Sequence, residues 1–234
     1  MLEIKNYSLE YFKGKKIIDN MNLKVEDGDI FGFVGSNGAG KTTTIKSVVG
    51  INHITEGDIL LDGISILKKP MKYKELIGYV ADEPILYDNI SGIDYLNFIA
   101  DMFEIPYEMR DKKIKEYSKK FDLVDELNDL ISSYSHGMRQ KLVLIATFMH
   151  DPKLYVLDEP FSALDPEAAF TLKEELKNEA KKGKIVFFST HVLEVAEKLC
   201  NKVAIIMNGK IISEGSMKDI IKDKSLEETF MELV

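Results

Sequence analysis

Residues 35–42 read GSNGAGKT directly after the apolar run FGFV at 31–34, and few eight-residue stretches constrain a chain as strongly. The pattern G-x-x-x-x-G-K-[ST] works only as a loop between a strand and a helix. Its glycines let the backbone wrap around phosphates with N–H groups pointing inward, and the N-terminus of the helix adds partial positive charge. Gly35, Ser36, Asn37, Gly38, Ala39 and Gly40 would form the cradle, continued by Lys41, Thr42 and Thr43. Lys41 can reach the β- and γ-phosphates of a nucleotide, and Thr42 can ligate Mg²⁺. The next residues present Ile45, Val48 and Val49 on one helical face, and the helix is expected to stop near Gly50.

Two further apolar runs look like buried parallel strands, and each ends in residues capable of chemistry. LYVL at 154–157 leads into Asp158 and Glu159. The first acid can hold Mg²⁺ through its water shell, and the second can polarise the water that attacks a γ-phosphate. IVFF at 185–188 leads through Ser-Thr to His191. Paired acids at a strand end are often only solvated, and a lone histidine is usually structural. Beside a phosphate loop on the same sheet edge, however, both read as catalytic candidates.

The rest of the chain supports an α/β core with additions. The first thirty or so residues alternate around a turn at Lys13-Gly14, as short antiparallel strands do. VAIIM, Asn208-Gly209 and KIIS form a second hairpin signal with type I′ turn chemistry. From about Ile85 to His150 the pattern is helical. Ser91 with Asp94 opens a helix carrying Tyr95, Leu96, Ile99, Met102 and Phe103, and a second helix carries Ile114, Tyr117 and Phe121. A third carries Met138, Leu142, Ile145, Ala146 and Met149 and stops at Asp151-Pro152. A last short helix is opened by Ser225 and Glu228.

With 234 residues, 31 basic and 39 acidic side chains, the net charge of -8 is the wrong sign for a protein that mainly grips nucleic acid. The Lys clusters at 13–16, 112–115 and 181–184 are read as solvated faces, because acids lie close by each. The longest nearly pure apolar run, LVLIATFM at 142–149, is far short of the roughly 20 residues that span a bilayer. The N-terminus does not look like a signal peptide, and the one cysteine, Cys200, cannot form an internal disulfide. Both features point to the cytoplasm.

Together these motifs resemble the nucleotide-binding subunit of an ATP-binding cassette (ABC) transporter, over nearly the whole chain and in the family's order. YSHGMRQK at 134–141 is similar to the family's signature, Leu-Ser-Gly-Gly-Gln. Ser135 and Gly137 are kept, while Tyr134 stands at the Leu, His136 at the first Gly and Met138 at the Gln. The resemblance implies that Ser135 and Gly137 close over the ATP held by a second subunit, so that two subunits sandwich two ATP molecules. It implies that SALD at 162–165, with Asp165 its acid, links the two sites, and that His191 contacts the γ-phosphate. It implies an aromatic stacked on adenine, at Phe12 or neighbouring Tyr11. One departure is plain: in GYVADEP at 78–84, Asp82 stands where the family usually has Gln, with the metal-side role expected to persist.

The fold implied is a P-loop NTPase core with a mixed, mainly parallel sheet, an N-terminal antiparallel β subdomain and an inserted α-helical subdomain. Residues 1–84 and 151–234 would form the core and 85–150 the helical part of a single domain. The activity implied is Mg²⁺-dependent ATP hydrolysis that powers a permease made by separate polypeptides. The signature form and the DEP at 82–84 look like exporters of the ABC-2 type. A homodimer or a pairing with a different cassette is implied, peripheral on the cytoplasmic face of the membrane. Other classes fit less well. The interval from Lys41 to Ser135 leaves no room for the coiled coil of chromosome-maintenance members, and a phosphate-loop kinase or GTPase would leave the signature stretch unexplained.

Overall fold

The N-terminal alternation places Leu2 and Ile4 inward while Lys5 faces solvent, which builds β1 (Leu2–Phe12). The computed structural model describes residues 1–12 and 14–233, the side chains of Tyr11 and Phe12 excepted. In it β1 pairs antiparallel with β2 (Lys15–Val25). Register shifts along this pair coincide with Asn6 and Asn20 in left-handed conformation, at φ 49° and 51°. After β3 (Ile30–Val34), the phosphate loop and helix α1 (Lys41–Val48), two strands complete the antiparallel sheet. They are β4 (Glu56–Leu61) and β5 (Ile64–Ser65), and the sheet has the order β2-β1-β4-β5.

The chain then enters a second sheet. Helix α2 (Pro70–Lys74) leads to β6 (Ile77–Val80), and the helices α3 (Gly92–Met102), α4 (Tyr107–Lys120) and α5 (His136–His150) follow. Strand β7 (Leu154–Asp158), helix α6 (Pro166–Lys181), strand β8 (Ile185–Thr190) and helix α7 (Leu193–Leu199) come next. The hairpin of β9 (Lys202–Met207) and β10 (Lys210–Ser216) and the short helices α8 (Met217–Ile221) and α9 (Leu226–Leu233) complete the fold. The six strands take the order β10-β9-β3-β8-β7-β6, parallel throughout except for β10 against β9. The α/β architecture with a mixed, mainly parallel sheet and an antiparallel sheet is thus the one expected.

Burial on both faces explains why the central strands are apolar without alternation. Leu154 and Val156 pack with Phe31, Phe33 and Phe187 against α1 and the antiparallel sheet. Tyr155 and Leu157 pack with Phe188 on the opposite face, in one continuous cluster with the helices of 92–150. On the first face the Phe187 ring sits 5.7 Å from that of Phe31 and 5.5 Å from that of Phe33. Removing such a buried ring costs about 3–5 kcal/mol.

Two sequence expectations are corrected. Met102, placed on the apolar face of its helix, is 62% exposed because α3 ends there and only Tyr95, Leu96 and Ala100 of that face are fully covered. The Lys clusters are not uniformly solvated either. Lys113 donates to Met149 O at 2.7 Å and Lys184 to Asp151 O at 3.1 Å, so both ammonium groups are spent on the carbonyl end of α5. Burial lowers the pKa of Lys113.

Other local signals hold, while the turn expected at Lys13-Gly14 involves Lys13, which lies outside the described residues. Ser91 caps α3 by accepting from Asp94 N at 3.2 Å. Asp151 ends α5 in the left-handed region at φ 58°. Asn208 and Gly209 both have positive φ, 49° and 74°, as the type I′ turn requires.

Candidate nucleotide site

The phosphate loop is set by close backbone contacts. Gly40 caps α1 at φ 111°, and a Cβ there would lie 2.9 Å from Ile18 Cδ1. A Cβ on Gly35 would lie 2.5 Å from Ile206 O, so the loop passes flush against β9. The β9–β10 turn braces it from behind, where Gly209 N donates to Ala39 O at 2.9 Å. Ser36, Asn37 and Gly38 remain exposed at the loop's tip. Thr43 O receives Ser47 Oγ and Asn52 Nδ2, each at 3.1 Å, which anchors the first turn of α1.

Lys41 is 6% exposed. Its ammonium donates to Gly35 O at 2.8 Å and Ser36 O at 3.3 Å and lies 3.6 Å from Glu159 Oε1. That carboxylate belongs to the residue after β7, a non-glycine at φ 47°. Such a backbone costs on the order of 1 kcal/mol or more and persists only when its surroundings over-determine it. Here Glu159 N donates to Ser189 Oγ at 3.1 Å, and Glu159 O accepts from Ser162 N at 3.2 Å and Ser162 Oγ at 2.9 Å. The side chain reaches His191, whose Nδ1 is 3.0 Å from Oε1 and whose backbone N donates to Oε2 at 3.2 Å.

Asp158 ends β7 at 1% exposure. Burial raises its pKa, and side-chain hydrogen bonds with Ser189 and Thr42 oppose that rise. Asp82, in the loop after β6, lies 3.2 Å from Ser162 Oγ and competes with Glu159 O, at 2.9 Å, for the one proton of that hydroxyl. Gly38, Gly40, Lys41, Thr42, Thr43, Asp82, Glu159 and His191 therefore line one cavity of about 350 Å³. A larger groove of about 750 Å³ continues from it past Thr42, Asp82 and Asp158 towards Tyr79, Ile85 and Tyr95.

Ser135, Gly137 and Asp165 lie elsewhere. Ser135 is exposed at the N-terminus of α5 and accepts from Met138 N at 3.2 Å. Gly137 packs close to the next loop, where a Cβ would lie 2.9 Å from Ala163 O. Asp165 caps α6 by accepting from Ala168 N at 2.8 Å and pairs with Lys141 of α5 at 2.9 Å. Those partners, the Ala168 N–H first, lower its pKa. The side chains of Phe12 and Tyr11, the expected adenine contact, lie outside the described residues.

Sequence reasoning missed Ser189 and Ile17, near the acids or the cavity, and named Ser162 only as part of SALD, not as a partner of Asp82 and Glu159. Ser189 carried a signal in hindsight, being a polar residue within an otherwise apolar buried strand. Ile17 carried none.

The donor set of Thr42, Asp158 and Asp82 consists of hydroxyl and carboxylate oxygens, which suits a hard divalent cation. Among the described residues no group of three or more His, Cys, Asp or Glu side chains could enclose a metal unaided.

The family model described as ABC transporter matches residues 18–162. The uncharacterized ABC transporter ATP-binding protein YhcH of Bacillus subtilis (strain 168) is 38% identical over 94% of this chain and 71% of its own length. Linearmycin resistance ATP-binding protein LnrL of the same organism is 31% identical over 94% of this chain and 70% of its own length. A solved structure of the ATP-binding subunit of an ABC transporter superposes with a TM-score of 0.95 at 29% identity, covering 100% of this chain and 99% of that one. The chain belongs to the ABC transporter family, as an ATP-binding cassette ATPase. No helix among the described residues is long and apolar enough to cross a membrane.

Proposed function

We propose that this chain is the ATP-hydrolysing subunit of an ABC-2-type exporter, and that ATP and Mg²⁺ draw two such subunits together. The observation that carries this reading is a separation. Lys41, Glu159 and His191 converge on one cavity, while the capped end of α5 at Ser135 faces solvent away from it. The N–H groups of that helix end form an anion site suited to a nucleotide held by another subunit.

In this reading the backbone of 35–43 and Lys41 bind the phosphates. Glu159 accepts the proton of the attacking water, and His191, held against it, contacts the γ-phosphate. Thr42, Asp158 and Asp82 would hold Mg²⁺, which would supply charge neutralisation to the phosphates. Ser135 and Gly137 approach the partner's ATP, and Asp165, tied to α5 through Lys141, joins the two sites. Phe12 or Tyr11 stacks on the adenine.

The permease is a separate polypeptide, and it holds this subunit on the cytoplasmic face of the membrane. The groove beside Asp82 suits it as a docking surface, because Ile85 is fully exposed and Tyr87 is 58% exposed. The exporter assignment rests on the YSHGM and DEP sequences and on the resistance function in the name of LnrL.

Light scattering on Glu159→Gln with and without Mg²⁺ and ATP tests the pairing. A nucleotide-dependent shift from monomer to dimer, abolished by Ser135→Arg, is expected. A shift that survives Ser135→Arg, or no shift with the permease present, contradicts it.

A further inference from the structure

Ser189 is fully buried at the end of β8, directly across from Asp158 in the parallel register with β7. Its hydroxyl has one proton and meets both acids of the site. The backbone N–H of Glu159 can only donate, so at 3.1 Å it must give its proton to Ser189 Oγ. The hydroxyl proton is then committed to Asp158 Oδ1, to which Ser189 Oγ donates. One oxygen thus fixes the rotation of the Asp158 carboxylate and pins the N–H side of Glu159 in its left-handed backbone. The carbonyl side of Glu159 is pinned separately, by Ser162.

Resting on the reading of Asp158 as metal-side acid and Glu159 as base, we propose that Ser189 is a positioning residue for ATP hydrolysis, setting both acids through a single hydroxyl. A hydroxyl serving only to satisfy a buried polar strand end would influence folding alone. A positioning hydroxyl influences turnover and metal dependence at constant nucleotide binding.

The test compares Ser189→Ala and Ser189→Thr, each also in the Glu159→Gln background, by phosphate release, Mg²⁺ titration and binding of ATP. Ser189→Ala should lower kcat about 10–100-fold, the usual scale for a residue that orients a ligand or base, and raise the half-activating Mg²⁺ concentration. The KM for ATP should stay within about 3-fold, since the loss is one of orientation rather than ground-state binding. Ser189→Thr, which keeps the hydroxyl, should restore kcat to within about 3-fold. In Glu159→Gln the alanine change should add less than about 2-fold, because residues acting as a unit are not additive.

If Glu159→Gln collapses turnover while Ser189→Ala leaves kcat and Mg²⁺ dependence unchanged, the inference fails and the reading of Glu159 stands. If Glu159→Gln retains turnover, that reading fails and the inference falls with it. Should Ser189→Ala not fold, Ser189→Cys decides, since the thiol fills the site, being somewhat larger than the hydroxyl, but is a weak donor. A kcat for Ser189→Cys equal to that of Ser189→Thr overturns the proposal, and a loss in Cys alone supports it.

Discussion

Glu159 and His191 are held to each other at two points: Nδ1 lies 3.0 Å from Oε1, and the His191 backbone N–H donates to Oε2 at 3.2 Å. The backbone contact keeps the carboxylate in place whatever becomes of the imidazole. His191→Ala is therefore predicted to reduce kcat by about 10²-fold while ATP binding changes by less than about 3-fold. Phosphate release measured alongside equilibrium binding separates the two effects. Equal losses in both would mean that His191 serves binding alone.

Asp82 brings a third carboxylate to a site that already holds Asp158 and Glu159, and like charge adds to the burial that raises the pKa of Asp158. A divalent cation relieves that repulsion. Asp82→Gln keeps a carbonyl oxygen, which can compete for the Ser162 hydroxyl proton as the carboxylate does, and removes the charge. The half-activating Mg²⁺ concentration should rise by about 10-fold or more, the scale for losing a metal-orienting group. Unchanged Mg²⁺ dependence together with unchanged transport-coupled turnover would remove Asp82 from the metal side.

Gly40→Ala meets two obstacles, a left-handed φ of 111° and Ile18 Cδ1 at 2.9 Å from the new Cβ. The backbone strain alone is about 1–3 kcal/mol. The loop has to shift, so ATP affinity should fall at least about 10-fold, and calorimetric titration should show a weakened site in a folded protein.

His150 stacks on Phe103 with centroids 3.6 Å apart, and its Nε2 lies 3.0 Å from Glu75 O. Burial lowers its pKa below the usual 6.5. Between the lowered folded value and 6.5 the unfolded chain binds a proton that the native protein refuses, so stability is full above about 6.5 and is lost as pH falls through that window. Denaturant titrations at pH 7.5 and 5.5 should show a larger drop for the native protein than for His150→Phe. Equal drops would mean that other groups set the acid sensitivity.

The placement of much of the candidate site was legible because its residues lie next to strand ends that announce themselves. GSNGAGKT, Asp158-Glu159 and His191 each follow an apolar run, and a parallel sheet carries such ends to one edge. Local caps were equally readable: Ser225 and Glu228 form a reciprocal capping box at α9. What was not legible depends on partners far apart in the chain. Gly209 supports Ala39 across the β9–β10 turn, and Ser162 reaches Asp82 through a folded loop, with no local pattern to mark either. Lys113 was misread as solvated because its partner, Met149 O, is a helix-end carbonyl whose position only tertiary packing sets. Strands β4 and β5 were missed because β5 has only two residues and β4 opens on the polar stretch EGD.

The most direct measurement is phosphate release by Glu159→Gln under saturating ATP and Mg²⁺, with bound nucleotide quantified in the same sample. A loss of turnover by about 10²-fold or more with ATP still bound places the general base at Glu159. Turnover near that of the unmodified protein, or loss of ATP binding in step with turnover, would contradict the account.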